Sequence, residues 1–262
     1  MTKLSEIKTD KRILVIGQSG TGKTRLCGTL AEVLPTLIVT ADASGLDTLK
    51  SMGVDANVVL IEDWTKVWEY FTEIAKASQD YQAIALDDFG SLQEAGMDKI
   101  ELSPRTYAED KMSKRDLELQ IRQQLLLGER KLQIQQWGDL SVAMNSFLAE
   151  VNNLPFAVKL VTCLEGIAKN PRTGEEHIYP SILGSMRTIM SAKFSLVASA
   201  FITNLDGANY YCLSCRSHAR TEAKNRYGEG FTLVSPTMAK LLARINGKET
   251  ESKLEQRIGT GL

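Results

Sequence analysis

The sequence predicts one α/β domain, in which a mainly parallel central sheet carries helices on both faces and an antiparallel edge hairpin. Short apolar runs alternate with segments of helical spacing between residues 12 and 88, as in parallel strands joined by helices. A glycine-rich turn directly follows the first apolar run. Two alternating runs, at 194–203 and 210–214, enclose Asp206-Gly207 and predict the edge hairpin.

The elements of the first third of the chain are bounded by residues that begin or end regular structure. A β-branched run predicts the first buried strand, and Pro35 ends the helix after it. The next long helix has Trp64, Val67 and Phe71 on one apolar face. In chain order, the prediction is a strand at 12–16, a helix at 24–34, strands at 37–40 and 58–61, a helix at 63–77 and a strand at 83–86.

Residues 91–136 interrupt this alternation because they are rich in Gln, Lys, Arg and Glu. Their spacing predicts one or two exposed helices, inserted after the fourth strand. Charges of both signs interleave there, which is typical of a solvated helix face. After this helical insert we expect a core-facing helix at 137–151, a strand at 156–164 and a mobile polar loop at 165–179.

Composition predicts an ordinary cytoplasmic protein without a membrane partner. The 262 residues carry a net charge of −1 and a pI near 6.2, so nucleic-acid contact would need local basic clusters. The first residues are polar, no apolar run reaches membrane length, and four cysteines are too few for a disulfide framework. The domain is predicted to span 1–246, and the polar tail at 247–262 is expected to fray.

The glycine-rich turn has the pattern Gly-x4-Gly-Lys-Thr, which is the phosphate-binding loop of nucleoside triphosphatases. Its glycines allow backbone N–H groups to surround phosphates, and the following helix adds its positive end. Lys23 is expected to reach the β- and γ-phosphates. The predicted cofactors are ATP and Mg²⁺, with GTP left open, although no guanine-reading Asn-Lys-x-Asp motif stands out. The predicted nucleotide-binding residues are Gly17, Gln18, Ser19, Gly20, Thr21, Gly22, Lys23, Thr24 and Arg25.

Two further acidic positions complete the predicted catalytic site. Asp87 ends the fourth apolar run and is expected to hold Mg²⁺ together with the Thr24 hydroxyl, whereas Asp88 either shares this role or caps the next helix. Asp42 follows the second strand, at the edge where nucleotides bind, and is predicted to orient the attacking water. The alternative for Asp42 is a role as a helix cap. Glu62 and Asp63, which follow the third strand, are the other candidates for orienting the water.

Several segments resemble the RecA/RadA branch of phosphate-loop ATPases and the RecA-like ATPases encoded by phages. Lys224-Asn225-Arg226-Tyr227-Gly228 is similar to the Lys-Asn-Arg-Phe-Gly motif of bacterial RadA. The other segments that carry the resemblance are 42–47, 86–92, 137–139 and 180–184. The resemblance implies a RecA-like fold, and some members of the phage family are single-strand annealing proteins in homologous recombination.

The resemblance also implies residues and partners beyond the nucleotide site. In relatives, the Lys and Arg of this motif reach the nucleotide of a neighbouring subunit, which implies catalytic roles for Lys224 and Arg226 in a homo-oligomeric ring or filament. Single-stranded DNA is the implied partner, and a single-strand binding protein is a further expected one. The loop after the strand near the nucleotide would bind this DNA through Lys169, Arg172, His177, Tyr179 and Arg187.

Other functions remain open from the residues alone. A nucleotide-gated assembly or loader ATPase acting on a protein partner is the main alternative, and a nucleoside or nucleotide kinase is the next. A zinc site at Cys212, Cys215 and His218 lacks a fourth ligand at suitable spacing, so a strand is favoured there.

Overall fold

The computed structural model describes residues 10–101, 111–113, 115–117, 119–121, 134–169, 176–182, 186–216 and 223–261 of the chain. Its strands are β1 Lys11–Gly17, β2 Thr36–Thr40, β3 Asn57–Leu60, β4 Ala83–Leu86, β5 Val158–Lys169, β6 Glu176–Pro180, β7 Leu196–Leu205, β8 Ala208–Ser214, β9 Lys224–Asn225 and β10 Thr232–Val234. Its α-helices are α1 Lys23–Ala31, α2 Leu46–Ser51, α3 Val67–Ala77, α4 Phe89–Glu101, α5 Ile134–Asn153, α6 Met186–Ile189, α7 Met238–Ile245 and α8 Lys253–Thr260.

The central sheet has the strand order β10-β8-β7-β1-β5-β4-β2-β3. The strands from β7 to β3 pair in parallel, whereas β8 and β10 extend the edge in antiparallel fashion. The predicted fold class is therefore confirmed: the domain is a RecA-like α/β fold with an antiparallel edge. Because β5 lies between β1 and β4, the strand that carries the phosphate loop and the strand that ends before Asp87 are not neighbours.

Apolar side chains from both faces of the sheet form two cores. One core joins the sheet to α3 and α5 and includes Ile74 and Phe147, both fully buried. The other joins the sheet to α1 and α7 and includes Leu30 and Leu241. Each such side chain contributes roughly 1.5–3 kcal/mol by leaving water. The second core fixes α1, and with it the phosphate loop, against the sheet.

Three expectations differ from the structure. The predicted loop at 165–179 is largely paired backbone, because β5 continues to Lys169 and pairs antiparallel with β6. The helix Phe89–Glu101 extends into the predicted exposed insert, and Leu92 within that insert is fully buried, so this part of the insert belongs to the core.

The predicted fraying tail contains α8, and this helix packs on β10. A capping box at Ser252 and Glu255 begins it, and Ile258 is buried beneath it. The edge hairpin is confirmed as β7–β8, with Asp206 and Gly207 at φ of 53° and 82° in its two-residue turn.

Candidate nucleotide site

The phosphate loop connects the carboxyl end of β1 to the amino end of α1. Gly20 and Gly22 have φ of 78° and 90°, a region that side chains with a Cβ rarely adopt. Gly17 has another reason to be glycine, since a Cβ there would lie 2.3 Å from the main-chain oxygen of Ala200 on β7. The Thr21 hydroxyl donates to the Gln18 carbonyl oxygen at 2.8 Å and closes the turn.

Lys23 lies inside this loop, with 8% of its surface exposed. Its ammonium donates to the carbonyl oxygens of Gly17 at 2.8 Å and Gln18 at 2.7 Å. Burial lowers the pKa of Lys23, and the nearby carboxylates of Asp88 and Asp87 oppose this by favouring the charged form. The loop therefore holds a cation at its centre, where a phosphate chain needs one.

Asp87 is the buried acid of the site, with 6% of its surface exposed. The Thr162 hydroxyl of β5 donates to its Oδ1 at 2.6 Å, and the Thr24 hydroxyl also bonds it. Burial raises the pKa of Asp87, whereas these two hydroxyls stabilise its carboxylate and lower the pKa. The hydroxyl of Thr24 and the carboxylate of Asp87 are thus adjacent hard oxygen donors, as Mg²⁺ prefers.

The donor set suits a Mg²⁺ ion that also binds phosphate oxygens. Within the described part of the chain, no three His, Cys, Asp or Glu side chains come together as a metal cluster, so a cage made of protein ligands alone is absent there. Mg²⁺ commonly takes one or two protein oxygens and completes its shell with substrate phosphates and water.

The cysteines of the zinc alternative lie on strand β8 and directly after it. Cys212 and Cys215 are buried thiols whose Sγ atoms donate to the carbonyl oxygens of Tyr210 and Phe231. His218 lies outside the described residues.

The remaining predicted acids combine a capping role with a position at the site. Asp88 accepts hydrogen bonds from the main-chain N–H and the hydroxyl of Ser91 at the start of α4, so the capping alternative describes it. Asp42 likewise accepts from the N–H and hydroxyl of Ser44. It still faces the metal residues, because a Cβ on Gly45 would lie 3.6 Å from Asp42 Oδ2 and 3.9 Å from Asp87 Oδ2.

Residues 19–25 line one cleft of about 1090 Å³ together with Asp42, Asp87 and Asp88, whereas Gly17, Gln18 and Thr162 are not among its lining residues. The phosphate loop forms its floor, and the rivals Glu62 and Asp63 are not among its lining residues. One end is acidic and contains Asp42, Asp87, Asp88, Ser91 and Glu94. The opposite end contains Tyr211, Ser235, Pro236 and Thr237, because β8 and β10 lie on the other side of β1 from β4 and β2.

Glu94 and the whole opposite end of the cleft were not predicted from the sequence. Glu94 belongs to a helix that was predicted as an exposed insert, although the spacing of Ser91 and Glu94 puts both on one helix face. Tyr211 lies two residues from the buried Leu213 on β8, and the period of a strand puts both on the same face of the sheet. That alternation was the signal that could have found Tyr211.

Lys224 and Arg226 lie away from the cleft. Lys224 pairs with Val197, near the amino end of β7, whereas Gly17 of the phosphate loop is level with Ala200. Three residues of strand, about 10 Å, separate these levels. The Lys224 ammonium donates to the carbonyl oxygens of Ser191 and Ala192, both at 3.4 Å, and Arg226 is exposed. Within one subunit, neither residue is brought to the nucleotide cleft.

The residues predicted to bind DNA lie largely on one hairpin. Lys169 and His177 are on β5 and β6, and Tyr179 lies across from Gly166. The Arg187 guanidinium lies over the Tyr179 ring, 3.8 Å from its centre. Arg187 therefore covers this face of the ring, which is not open to a base. Arg172 lies outside the described residues.

A family model matches most of the chain: residues 9–227 match AAA_24, an AAA domain. No curated protein matches. Two solved structures resemble the fold. A KaiC-like protein from the hyperthermophilic archaeon Pyrococcus horikoshii OT3 is 15% identical, with a TM-score of 0.42 over 86% of this chain and 88% of that one. The flagellar accessory protein FlaH from Methanocaldococcus jannaschii is 10% identical, with a TM-score of 0.41 over 87% and 92%. None of the described helices is both long and apolar enough to cross a bilayer.

Proposed function

We propose that this chain, which belongs to the AAA domain family, is a Mg²⁺-dependent ATPase that binds single-stranded DNA as an oligomer and promotes annealing or strand exchange in phage-type homologous recombination. The observation that carries the proposal is the wall shared by two clefts. Helix α4 lines the nucleotide cleft through Ser91 and Glu94, and it lines a smaller cleft through Gln93, Glu94 and Met97. Tyr179 and Arg187 of the DNA candidate surface form the other side of that smaller cleft.

The nucleotide half of the proposal rests on the chemistry of the large cleft. Main-chain N–H groups of the phosphate loop and the Lys23 ammonium bind the phosphates, while Thr24 and Asp87 hold Mg²⁺. When bound, the metal neutralises charge that develops on the β- and γ-phosphate oxygens. Asp42 orients a water for in-line attack on the γ-phosphorus, so that a new P–O bond forms as the bond to the ADP oxygen breaks.

The DNA half rests on charge and on continuity of the backbone. The Lys169 side chain is 73% exposed and lies 4.0 Å from Glu176, a weak pair that a DNA phosphate can replace. The Arg187 guanidinium covers Tyr179 with one plane, and its other plane is suited to stacking on a base. Ser181, which follows β6, donates its N–H at 2.7 Å to the carbonyl oxygen of Leu164, a residue that lines the nucleotide cleft.

A movement of α4, or of β5 at Leu164, on nucleotide binding would therefore displace the β5–β6 hairpin. In this scheme, ATP favours the DNA-binding arrangement, and hydrolysis releases the strand. Lys224 and Arg226 act on the nucleotide of an adjacent subunit, which makes activity depend on assembly.

The test measures ATP hydrolysis by wild type and by Lys23→Ala, with and without a single-stranded oligonucleotide, over a range of salt. DNA is expected to stimulate a rate that Lys23→Ala loses, and salt to remove the stimulation. Lys169→Ala is expected to flatten the logarithmic salt dependence of DNA affinity by roughly 0.7 for one lost phosphate contact. Lys76→Ala, at an exposed position on α3, is the matched control and is expected to leave the slope unchanged.

Hydrolysis that neither needs nor responds to DNA would contradict the recombination function. It would favour the alternative, a loader ATPase with a protein partner. Loss of DNA binding in Lys76→Ala as well as Lys169→Ala would show general charge attraction without a site on the hairpin.

A further inference from the structure

The end of the nucleotide cleft opposite the metal residues is built around one exposed aromatic ring. Leu213 of β8 is buried against the α1 face of the sheet, and Tyr211 continues that row two residues further on. Tyr211 is 48% exposed, so its ring is open to contact with a bound molecule. It lies beside the phosphate loop, since a Cβ on Gly22 would be 3.9 Å from Tyr211 Cδ1.

A tight turn fixed by hydrogen bonds faces this ring. The N–H of Ser235 donates to the carbonyl oxygen of Tyr211 at 2.8 Å, and Ser235 has a φ of 49°. The Lys240 ammonium donates to the Ser235 carbonyl oxygen at 3.2 Å and holds the turn from the other side. The N–H of Met238 donates to the buried Thr29 hydroxyl of α1 at 3.0 Å. The turn is thus tied both to β8 and to the helix that begins at the phosphate loop.

The direction of a bound nucleotide follows from the charges of the cleft. Metal and terminal phosphates belong at the acidic end, beside Asp42 and Asp87. The base then lies at the other end, where the lining consists of Tyr211, Ser235, Pro236 and Thr237. This end contains no carboxylate among the described lining residues, so it suits a neutral, flat, aromatic group.

We propose that Tyr211 and the turn at 235–237 form the nucleobase site, and that this site accepts adenine and guanine alike. The inference rests on the proposed nucleotide function and specifies its substrate class. The base stacks on the Tyr211 ring, whose π face is equally suited to either purine.

The lack of discrimination follows from the polar groups that are available. Guanine presents N–H donors that a carboxylate would select, and the described lining of this end has none. The side-chain hydroxyl of Ser235 acts as donor or acceptor by rotation, so it matches the edge of either purine. The Thr237 hydroxyl already caps α7 by accepting from the N–H of Lys240 at 3.3 Å.

The experiment measures dissociation constants for ATP, GTP and inorganic tripolyphosphate, each with Mg²⁺, on the full chain. Wild type is expected to bind ATP and GTP within about threefold of one another, because stacking is the shared contribution. Tyr211→Ala is expected to weaken the binding of ATP and of GTP by about tenfold and to leave the dissociation constant of tripolyphosphate unchanged. Tyr211→Phe keeps the ring and is expected to bind like wild type.

Tyr210→Ala is the matched control, because Tyr210 is the neighbouring tyrosine on the opposite face of β8. It is expected to leave all three constants unchanged. If Tyr211→Ala weakened the binding of tripolyphosphate as much as that of ATP and GTP, the base site would be overturned, since the ring would then support only the phosphate loop. A preference for ATP above tenfold in wild type would overturn the lack of discrimination. Failure of wild type to bind any of the three would instead refute the nucleotide function itself.

Discussion

Replacing Thr162 by valine tests whether the site holds Asp87 as a buried carboxylate. Thr162 is fully buried on β5, between the strand of the phosphate loop and the strand that precedes Asp87. Its hydroxyl donates to Asp87 Oδ1 at 2.6 Å, a distance typical of a hydrogen bond to a charged oxygen. Valine keeps the shape of threonine and removes only this donor.

The expected loss is larger than for an ordinary hydroxyl. A hydrogen bond to a charged group contributes about 1.5–3 kcal/mol, and a neutral one about 0.5–1.5 kcal/mol. Thr36 supplies the comparison, because its buried hydroxyl donates at 2.7 Å to the uncharged carbonyl oxygen of Leu34. The free energy of unfolding is therefore expected to fall more in Thr162→Val than in Thr36→Val.

The stability cost of Thr162→Val is expected to depend on pH. Burial raises the pKa of Asp87, and the Thr162 hydroxyl opposes this by stabilising the ionised form. Thr162→Val also raises the folded-state pKa of Asp87, because it removes a hydrogen bond that lowers this pKa. Its cost is thus full above the folded-state pKa of the variant, and it shrinks as pH falls and the carboxyl becomes protonated.

Urea unfolding of wild type and both valine variants at pH 8 and pH 5.5 measures these costs. Equal costs for Thr162→Val and Thr36→Val at both pH values would refute a charged hydrogen bond at Asp87. Thr162→Ser keeps the donor and is expected to retain most of the lost stability.

Three further predictions concern the phosphate loop, the carboxyl-terminal helix α8 and the basic motif, which contains Lys224 and Arg226. Gly17→Ala is expected to lower the melting temperature strongly, because its Cβ would meet a main-chain oxygen at 2.3 Å. Glu255→Gln is expected to cost about 1–2 kcal/mol in urea unfolding. Burial raises the pKa of Glu255, but its hydrogen bonds, including that from Arg244, lower it overall; this stabilisation is therefore present at neutral pH and lost as pH falls through the folded pKa. Lys23→Ala and Lys224→Ala proteins, each inactive alone, are expected to regain ATP hydrolysis when mixed; no gain would argue against a role in trans.

The phosphate loop was predictable because its requirements are local. Gly20 and Gly22 need positive φ within a few residues of one another, and an apolar strand directly precedes them. The role of Gly17 was predicted for the wrong reason, since the atom that excludes a side chain there belongs to Ala200 on another strand. A contact between such distant residues leaves no local pattern in one sequence.

The β5–β6 hairpin and α8 were missed for the same physical reason. The outer half of β5 is exposed or half-buried on both faces, so it lacks the apolar alternation that predicts a strand. Polar contacts help to hold helix α8, in which Glu255 accepts hydrogen bonds from Arg244 and from the N–H of Val234. These partners are far apart along the chain, and their charges resemble those of a solvated tail.

The position of the basic motif restricts how subunits can assemble. Lys224 is level with the amino-terminal part of β7, whereas the nucleotide cleft opens at the carboxyl ends of the strands. A role in trans therefore requires the motif surface of one subunit to face the cleft of the next. A twofold dimer meets this requirement only if motif and cleft lie in one interface, where the motif of each subunit contacts the cleft of the other. Head-to-tail contact joins the two different surfaces, and its repetition gives a ring or a filament. The proposed catalytic role of Lys224 and Arg226 thus predicts that only assemblies in which the motif of one subunit contacts the cleft of another are active.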